Sequence, residues 1–212
     1  QYGEVAALLG DINLAGTSLG DRLVAGFEHR ALLMAAPVHR RHENVVLAEP
    51  AMMLRSTIDE AARRGYRVVD MGGRVHGDVE LVSGHWKEIL QREMKSDDHV
   101  ALVGVGEVTV RVRGFGKGGR CQEFAWSMSN VLADLGREAA FVARSSDGRD
   151  FIEGVGGAWV DHATKDRARM MGFDWSVVME TNDSYTALLA LDELLVGGHT
   201  GWNLCDVYVA LI

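Results

Sequence analysis

One stretch limits what this chain can fold into more than any other. Glu107 to Arg113 alternates polar and β-branched residues, Gly114 to Arg120 holds four glycines, and Cys121 to Leu135 places apolar residues at Phe124, Met128, Val131, Leu132 and Leu135. Period-two alternation is the pattern of a half-buried strand, and recurrence at three and four residues is that of a helix. Strand, glycine turn and helix in this order commit the region to an α/β arrangement. They also make a potential anion cradle. Gly116, Gly118 and Gly119 let backbone N–H groups approach a ligand, and the helix end adds positive potential. Lys117 and Arg120 add charge, and the Arg120 fork suits a bidentate hold on phosphate or carboxylate. The spacing G-x-G-x-G-G is neither a P-loop nor a dinucleotide fingerprint. A glycine turn with solvated cations explains the same residues.

The α/β pattern extends to both sides. Val45 to Ala48 predicts a short strand. Pro50 to Arg64 predicts a helix with Leu54, Ile58, Ala61 and Ala62 on one face, closed by Gly65, and Tyr66 to Val69 predicts a second strand. That βαβ unit implies a parallel pair. Val79 to Met94 predicts a helix with Trp86, Ile89 and Leu90 inward. His99 to Val105 predicts a strand, and Gly104-Val105-Gly106 a turn into the next strand at Glu107. Beyond the motif, Ala139 to Ala143 reads as a strand ending in Arg144-Ser-Ser-Asp147-Gly148. Open α/β sheets place ligands at such strand ends, although Asp147-Gly148 also makes an ordinary turn. Thr164 to Met171 reads as a basic helix. Asn182-Asp183-Ser184 opens another helix, with Asn182 or Asp183 as its cap. Leu194 to Val196 and Asp206 to Ile212 read as strands around a glycine-rich loop holding Thr200 and Asn203. The expected architecture is a three-layer α/β/α domain over 41–212 with a mixed, mostly parallel sheet. Residues 1–40 read as an N-terminal segment, the remnant of a preceding domain, with Pro37 to Glu43 as the linker.

Composition narrows the function classes. At 212 residues the chain can bury one large core or two small ones. A net charge of −8 without a basic stripe argues against nucleic acid as partner. No apolar run reaches bilayer length, and no basic n-region precedes an apolar one at the start. Two distant cysteines, Cys121 and Cys205, suit a reducing, cytoplasmic location. Gly16-Thr17-Ser18-Leu19-Gly20 matches the G-x-S-x-G nucleophile elbow, so a serine hydrolase is a minor alternative. That elbow needs a strand before it, and Ile12 to Ala15 is a poor one. His39 and His42 lack a third ligand nearby, so a solvated connector explains them.

Four strings in fixed order carry a family resemblance: Gly-Lys-Gly-Gly-Arg-Cys-Gln-Glu (116–123), Ser-Asp-Gly (146–148), Asn-Asp-Ser-Tyr-Thr (182–186) and Gly-His-Thr-Gly-Trp-Asn (198–203). From about Gly104 to Ile212 the chain resembles the MOFRL domain. That domain forms the C-terminal part of the type 2 glycerate kinases, enzymes also called hydroxypyruvate reductases. The resemblance implies ATP-dependent phosphoryl transfer, with Mg²⁺, to the 2-hydroxyl of D-glycerate in a cleft between two α/β domains. It implies that Lys117, Arg120 and Asp147 do catalytic work. Gly116, Gly118, Gly119, Glu123, Asn182, Ser184, Thr200 and Asn203 would bind substrate or phosphate, and Glu107 and Asp147 would hold metal. The chain departs from the family's pattern at 105–108, Cys121, 151–156, His199 and Trp202. The family's other domain would have to come from an N-terminal domain, a partner chain or a homo-oligomer. Two function classes follow. One is a glycerate-kinase half, and the other is a diverged, non-catalytic subunit of a larger assembly.

Overall fold

The computed structural model describes residues 46–94 and 99–212. Along the chain the elements are α1 (Pro50–Arg63), β1 (Arg67–Asp78), α2 (Val79–Glu93), β2 (Val100–Thr109), α3 (Arg120–Ala133), β3 (Ala140–Ser145), β4 (Val155–Asp161), α4 (Thr164–Met170), α5 (Trp175–Thr181), α6 (Ser184–Ala190), β5 (Leu194–Val196) and β6 (Asp206–Leu211). Strand β2 is the spine. Val100, Ala101, Leu102, Val103 and Val105 are fully buried, as a strand covered on both faces requires. The six strands run in the order β1-β2-β6-β3-β4-β5. The sheet belongs to the unit Val46–Ile212; Gln1–Val45 is a separate unit, outside the described residues.

Three layers result, as the sequence predicts. On one face α1 lays Ala61, Leu54 and Ile58 against Ala101, Val103 and Val209. On the other, α2 and α3 share a core with α4–α6. That core is keyed by aromatic rings packed edge to face. Phe124 meets Phe141 at 4.8 Å and Tyr208 at 5.0 Å, and Trp86 meets Phe141 at 5.5 Å. Every residue from Cys121 to Ser129 is buried, so α3 is enclosed on all sides.

The sheet is mixed, but parallel pairing is confined to β1 and β2. The pairs β2–β6, β6–β3, β3–β4 and β4–β5 are antiparallel. This corrects the expectation of a mostly parallel sheet. The β3–β4 link over 146–154 is too short for a crossover and can only turn the chain back on itself. Of the strand expected at Val45–Ala48, the described part, 46–48, forms none: Val46 and Leu47 are each 74% exposed and lie in no element. The parallel βαβ unit is β1–α2–β2, one unit later. The strand expected to end at Val69 continues to Asp78, through register shifts near Gly72.

The turn expected at Gly104–Gly106 is not there, because β2 passes straight through it. These glycines answer close contact instead: a Cβ on Gly106 would lie 2.0 Å from the Val75 carbonyl oxygen, and one on Gly104 2.7 Å from Val75 Cγ2. The strand expected over Glu107–Arg113 stops at Thr109, and 110–113 run on without a sheet partner. The Gly16–Gly20 elbow and the Pro37–Glu43 linker lie outside the described residues. Among the described residues, no helix is long and apolar enough to cross a membrane.

Two glycine substitutions separate these roles. Gly106→Ala forces a Cβ into the β1 backbone and should cost about 1–3 kcal/mol or more. Gly84, inside α2 with open space at its Cβ position, should gain about 1 kcal/mol as alanine. Urea midpoints moving in opposite directions would bear this out; equal shifts would contradict it.

Candidate functional site

Helix α3 begins without a side-chain cap of its own, because its N-cap is Gly119, in extended conformation. The cap comes from the β3–β4 loop. Asp150 Oδ1 accepts from the Cys121 amide at 3.1 Å, and Oδ2 from the Gln122 amide and Gln122 Nε2, each at 2.9 Å. A Cβ on Gly119 would lie 2.3 Å from the Asp150 carbonyl oxygen, so only glycine lets the two segments meet. Burial raises the Asp150 carboxyl pKa, against the hydrogen bonds from Gln122 and Cys121. The positive end of the helix is therefore answered first by the chain's own carboxylate. The amides of Gly118, Gly119 and Arg120 have no acceptor among the described residues.

The glycine loop is likewise fastened to the chain. Asn182, at the left-handed C-cap of α5, accepts on Oδ1 from the amides of Arg113 (2.6 Å) and Gly114 (3.0 Å). Its Nδ2 donates to the Arg111 carbonyl and to Glu123 Oε2. The Gly116 amide donates to the Thr181 carbonyl, the Lys117 amide to Asp183 Oδ1, and the Tyr185 amide to the Lys117 carbonyl. The side-chain amide of Asn182 is thus spent on stitching the loop down. Lys117 is exposed, and its Nζ has no partner among the described residues. The Ser184 hydroxyl is buried under Gly118 without a hydrogen-bond partner among them.

Arg120, the first residue of α3, aims its fork inward. Nε donates to Asp206 Oδ2 at 2.6 Å and Nη2 to Oδ1 at 3.0 Å, while Nη1 lies 3.2 Å from Glu107 Oε1. Asp206 is fully buried and also accepts from the Tyr208 hydroxyl at 3.0 Å. That hydroxyl in turn accepts from the Val108 amide. A third of the Arg120 side chain remains exposed. Hydrogen bonding to Asp206 raises its pKa further above the ordinary value.

Gly116, Gly118, Gly119, Arg120, Glu123 and Asn182 line one cavity of about 350 Å³, joined by Val110, Val112, Asp150 and Phe151. Six of the residues expected from the sequence therefore converge. Asp147, Thr200 and Asn203 lie apart from that lining, at the β3–β4 turn and the 197–205 loop. The Thr200 hydroxyl donates to the Ser146 carbonyl, and its amide to the Asp147 carbonyl. Partial burial pushes the Asp147 carboxyl up, but hydrogen bonds from Arg149 and Ser145 and the Arg120 charge outweigh it, so its pKa is lowered. Among the described residues no group of three or more His, Cys, Asp or Glu is placed to hold a metal ion. Glu107 and Asp147 would serve a metal only together with ligand oxygens. Burial raises both thiols, Cys205 to about 11, which leaves neither as a ready nucleophile.

Sequence reasoning missed Asp150, Asp206 and Phe151. A cap donated from another loop and a buried counter-ion on a closing strand leave no periodic trace. Only the unexpected acid at the start of an apolar strand, Asp206, offered a signal.

The described unit is a mixed-sheet α/β domain with a glycine-bordered cavity just beyond the end of β2. The chain belongs to the MOFRL family, whose model matches residues 100–206. It is similar to the glycerate 2-kinase of Pyrococcus horikoshii, 32% identical over 174 residues that cover 80% of this chain and 39% of that protein. The glycerate kinase of Rattus norvegicus is 33% identical over 141 residues, covering 62% of this chain and 26% of that one. The crystal structure of glycerate kinase from Thermotoga maritima matches with a TM-score of 0.79 and 25% identity, over 100% of this chain and 50% of that chain. The chain thus spans half or less of these relatives.

Two variants probe the site's construction. Asp150→Ala removes a helix cap and should cost about 1–2 kcal/mol at neutral pH, read from urea denaturation. Glu123 is raised by burial, against the Asn182 hydrogen bond and the Arg113 charge. The folded protein then binds more protons than the unfolded chain between the two pKa values, so stability falls as pH rises through that window. Glu123→Gln should be more stable than the parent at about pH 7 and approach it near about pH 3, below the unfolded-chain pKa, where the carboxyl is protonated in both states. An equal or lower midpoint at neutral pH would contradict this.

Proposed function

We propose that this chain is the C-terminal half of a glycerate kinase-type phosphotransferase. The reaction is ATP-dependent transfer of a phosphoryl group to the 2-hydroxyl of D-glycerate or a related small hydroxy acid. An N-terminal domain or a partner chain completes the cleft, or a second copy does. The observation that carries this reading is the run of amides at Gly118, Gly119 and Arg120 that find no acceptor among the described residues, set beside the Arg120 guanidinium in a chain whose relatives are named glycerate kinases. Phosphoryl transfer asks mainly for positioning and neutralisation of charge.

The chain's residues divide that work. The three amides hold non-bridging phosphate oxygens at the helix N-terminus. Arg120, held in one orientation by Asp206, presents its remaining exposure to charge that develops during transfer. Lys117, exposed and without a partner among the described residues, reaches toward the phosphate from the loop. Glu107 and Asp147, both near Arg120, supply carboxylates for a metal whose other ligands are phosphate oxygens and water. When bound, Mg²⁺ neutralises phosphate charge. A reducing, cytoplasmic setting fits the two free cysteines.

The second reading, a non-catalytic subunit, is favoured by one observation: the Arg120 fork and the cap of α3 are already engaged by Asp206 and Asp150. Calorimetric titration with Mg·ATP and with D-glycerate, separately and together, distinguishes the two. The kinase reading expects Mg·ATP to bind. Lys117→Ala should weaken that binding on the order of tenfold without moving the urea midpoint, since the ammonium is solvated. Turnover should appear only when the N-terminal half of a relative is added. A folded chain that binds neither compound would contradict the kinase reading.

A further inference from the structure

We propose that the cavity beside the glycine loop takes the adenosine end of the nucleotide, with Phe151 as platform for the base and Glu123 as acceptor for the adenine amine. This rests on the phosphotransferase reading and adds to it which end of which substrate lies here. Size is the first argument. At about 350 Å³ the cavity is in the range of small-ligand sites, and a three-carbon hydroxy acid would fill a minor part of it.

The second argument is the character of its wall. Val112 and Phe151 line the cavity, yet are 77% and 80% exposed. Two large apolar side chains open on the wall of one cavity offer a surface to an apolar or planar partner. The chain also holds Phe151 there against its backbone preference. The Ile152 amide donates to the Asp150 carbonyl at 2.7 Å, closing a three-residue turn with Phe151 at its tip and φ of 63°. A bulky residue in that region is a true outlier, and such outliers cluster at ligand clamps. Asp150, whose carboxylate is fixed on the α3 amides, anchors one side of the turn.

The third argument is polar. Glu123 is 6% exposed and lines the cavity. Asn182 Nδ2 occupies its Oε2, and its Oε1 has no hydrogen-bond partner among the described residues. A carboxyl group in this position disfavours a second carboxylate, so the hydroxy acid is directed elsewhere. It suits a neutral base that offers an N–H donor. Gly118, Gly119 and Arg120 border the same cavity, so a base seated on Phe151 has its phosphates directed toward their open amides.

The test titrates the folded chain with adenosine, inosine, inorganic tripolyphosphate and D-glycerate, by calorimetry and ligand-observed NMR. Adenosine should bind without its phosphates. Phe151→Ala, at an exposed position, should weaken adenosine on the order of tenfold and leave tripolyphosphate unchanged. Inosine lacks the amine and should bind on the order of tenfold more weakly than adenosine. Glu123→Gln should shrink that preference, because a glutamine amide can donate to the inosine oxygen. If tripolyphosphate or D-glycerate binds and adenosine does not, this proposal is overturned and the kinase reading stands. It is likewise overturned if adenosine binds but Phe151→Ala leaves its affinity unaltered. If nothing binds, both are overturned.

Discussion

The bidentate pair between Arg120 and Asp206 is the contact on which the site's geometry rests. Asp206 begins β6, which lies between β2 and β3, and it opposes Gly106 on one side and Ser145 on the other. Arg120 begins α3, the helix enclosed by the whole core. Their bond fixes where the helix starts relative to the middle of the sheet. A fully buried carboxylate without its partner would cost several kcal/mol, on the order of 3–5 for a broken buried pair. Arg120 is partly solvated, which places this pair toward the lower end of that range. Tyr208 extends the network to the last hydrogen bonds of β2, so the strand end, the helix start and the closing strand are set together.

The glycines follow from the same constraint. With α3 fixed, the 110–119 segment has to pass between the α5–α6 corner and the Asp150 loop. A Cβ on Gly116 would come 2.5 Å from Asp183 Cβ, and one on Gly118 2.3 Å from Ser184 Oγ. The loop is glycine-rich because neighbouring residues of the α5–α6 corner come this close on its inner side. Its outer side is what a ligand meets. Stitching by Asn182, Thr181 and Asp183 orders the loop before anything binds, which lowers the entropy cost of holding a ligand there. Structure and function make the same demand on these positions, so composition alone does not separate them.

Legibility in the sequence divides along physical lines. Helices α1, α2 and α3 are readable because each has an apolar face at helical spacing, and β2 because its apolar run is continuous. Strand directions are not readable for β3 to β6: alternation reveals a strand but not its neighbour, and β6 inserts between strands from distant parts of the chain. Gly104 and Gly106 read wrongly as a turn, since a glycine that admits a neighbouring strand looks in sequence like one that bends. Of the expected site residues, Gly116, Gly118, Gly119, Arg120, Glu123 and Asn182 line one cavity, whereas Lys117 and Ser184 lie outside its lining. Asn182 stands out in the sequence as a binding residue, yet its side chain is committed to the loop. Asp150 and Asp206 escape sequence reasoning because their roles exist only across 28 or more residues of chain.

The central claim is that Arg120 and Asp206 act as one unit holding the start of α3 against the sheet. A double-mutant cycle on Arg120→Leu and Asp206→Asn, read by urea denaturation, tests it most directly. Strong coupling, on the order of 1–3 kcal/mol, is the predicted result, because either single change leaves the other group stranded. Additive effects would contradict it, and would assign the two residues independent roles at the rim of the site.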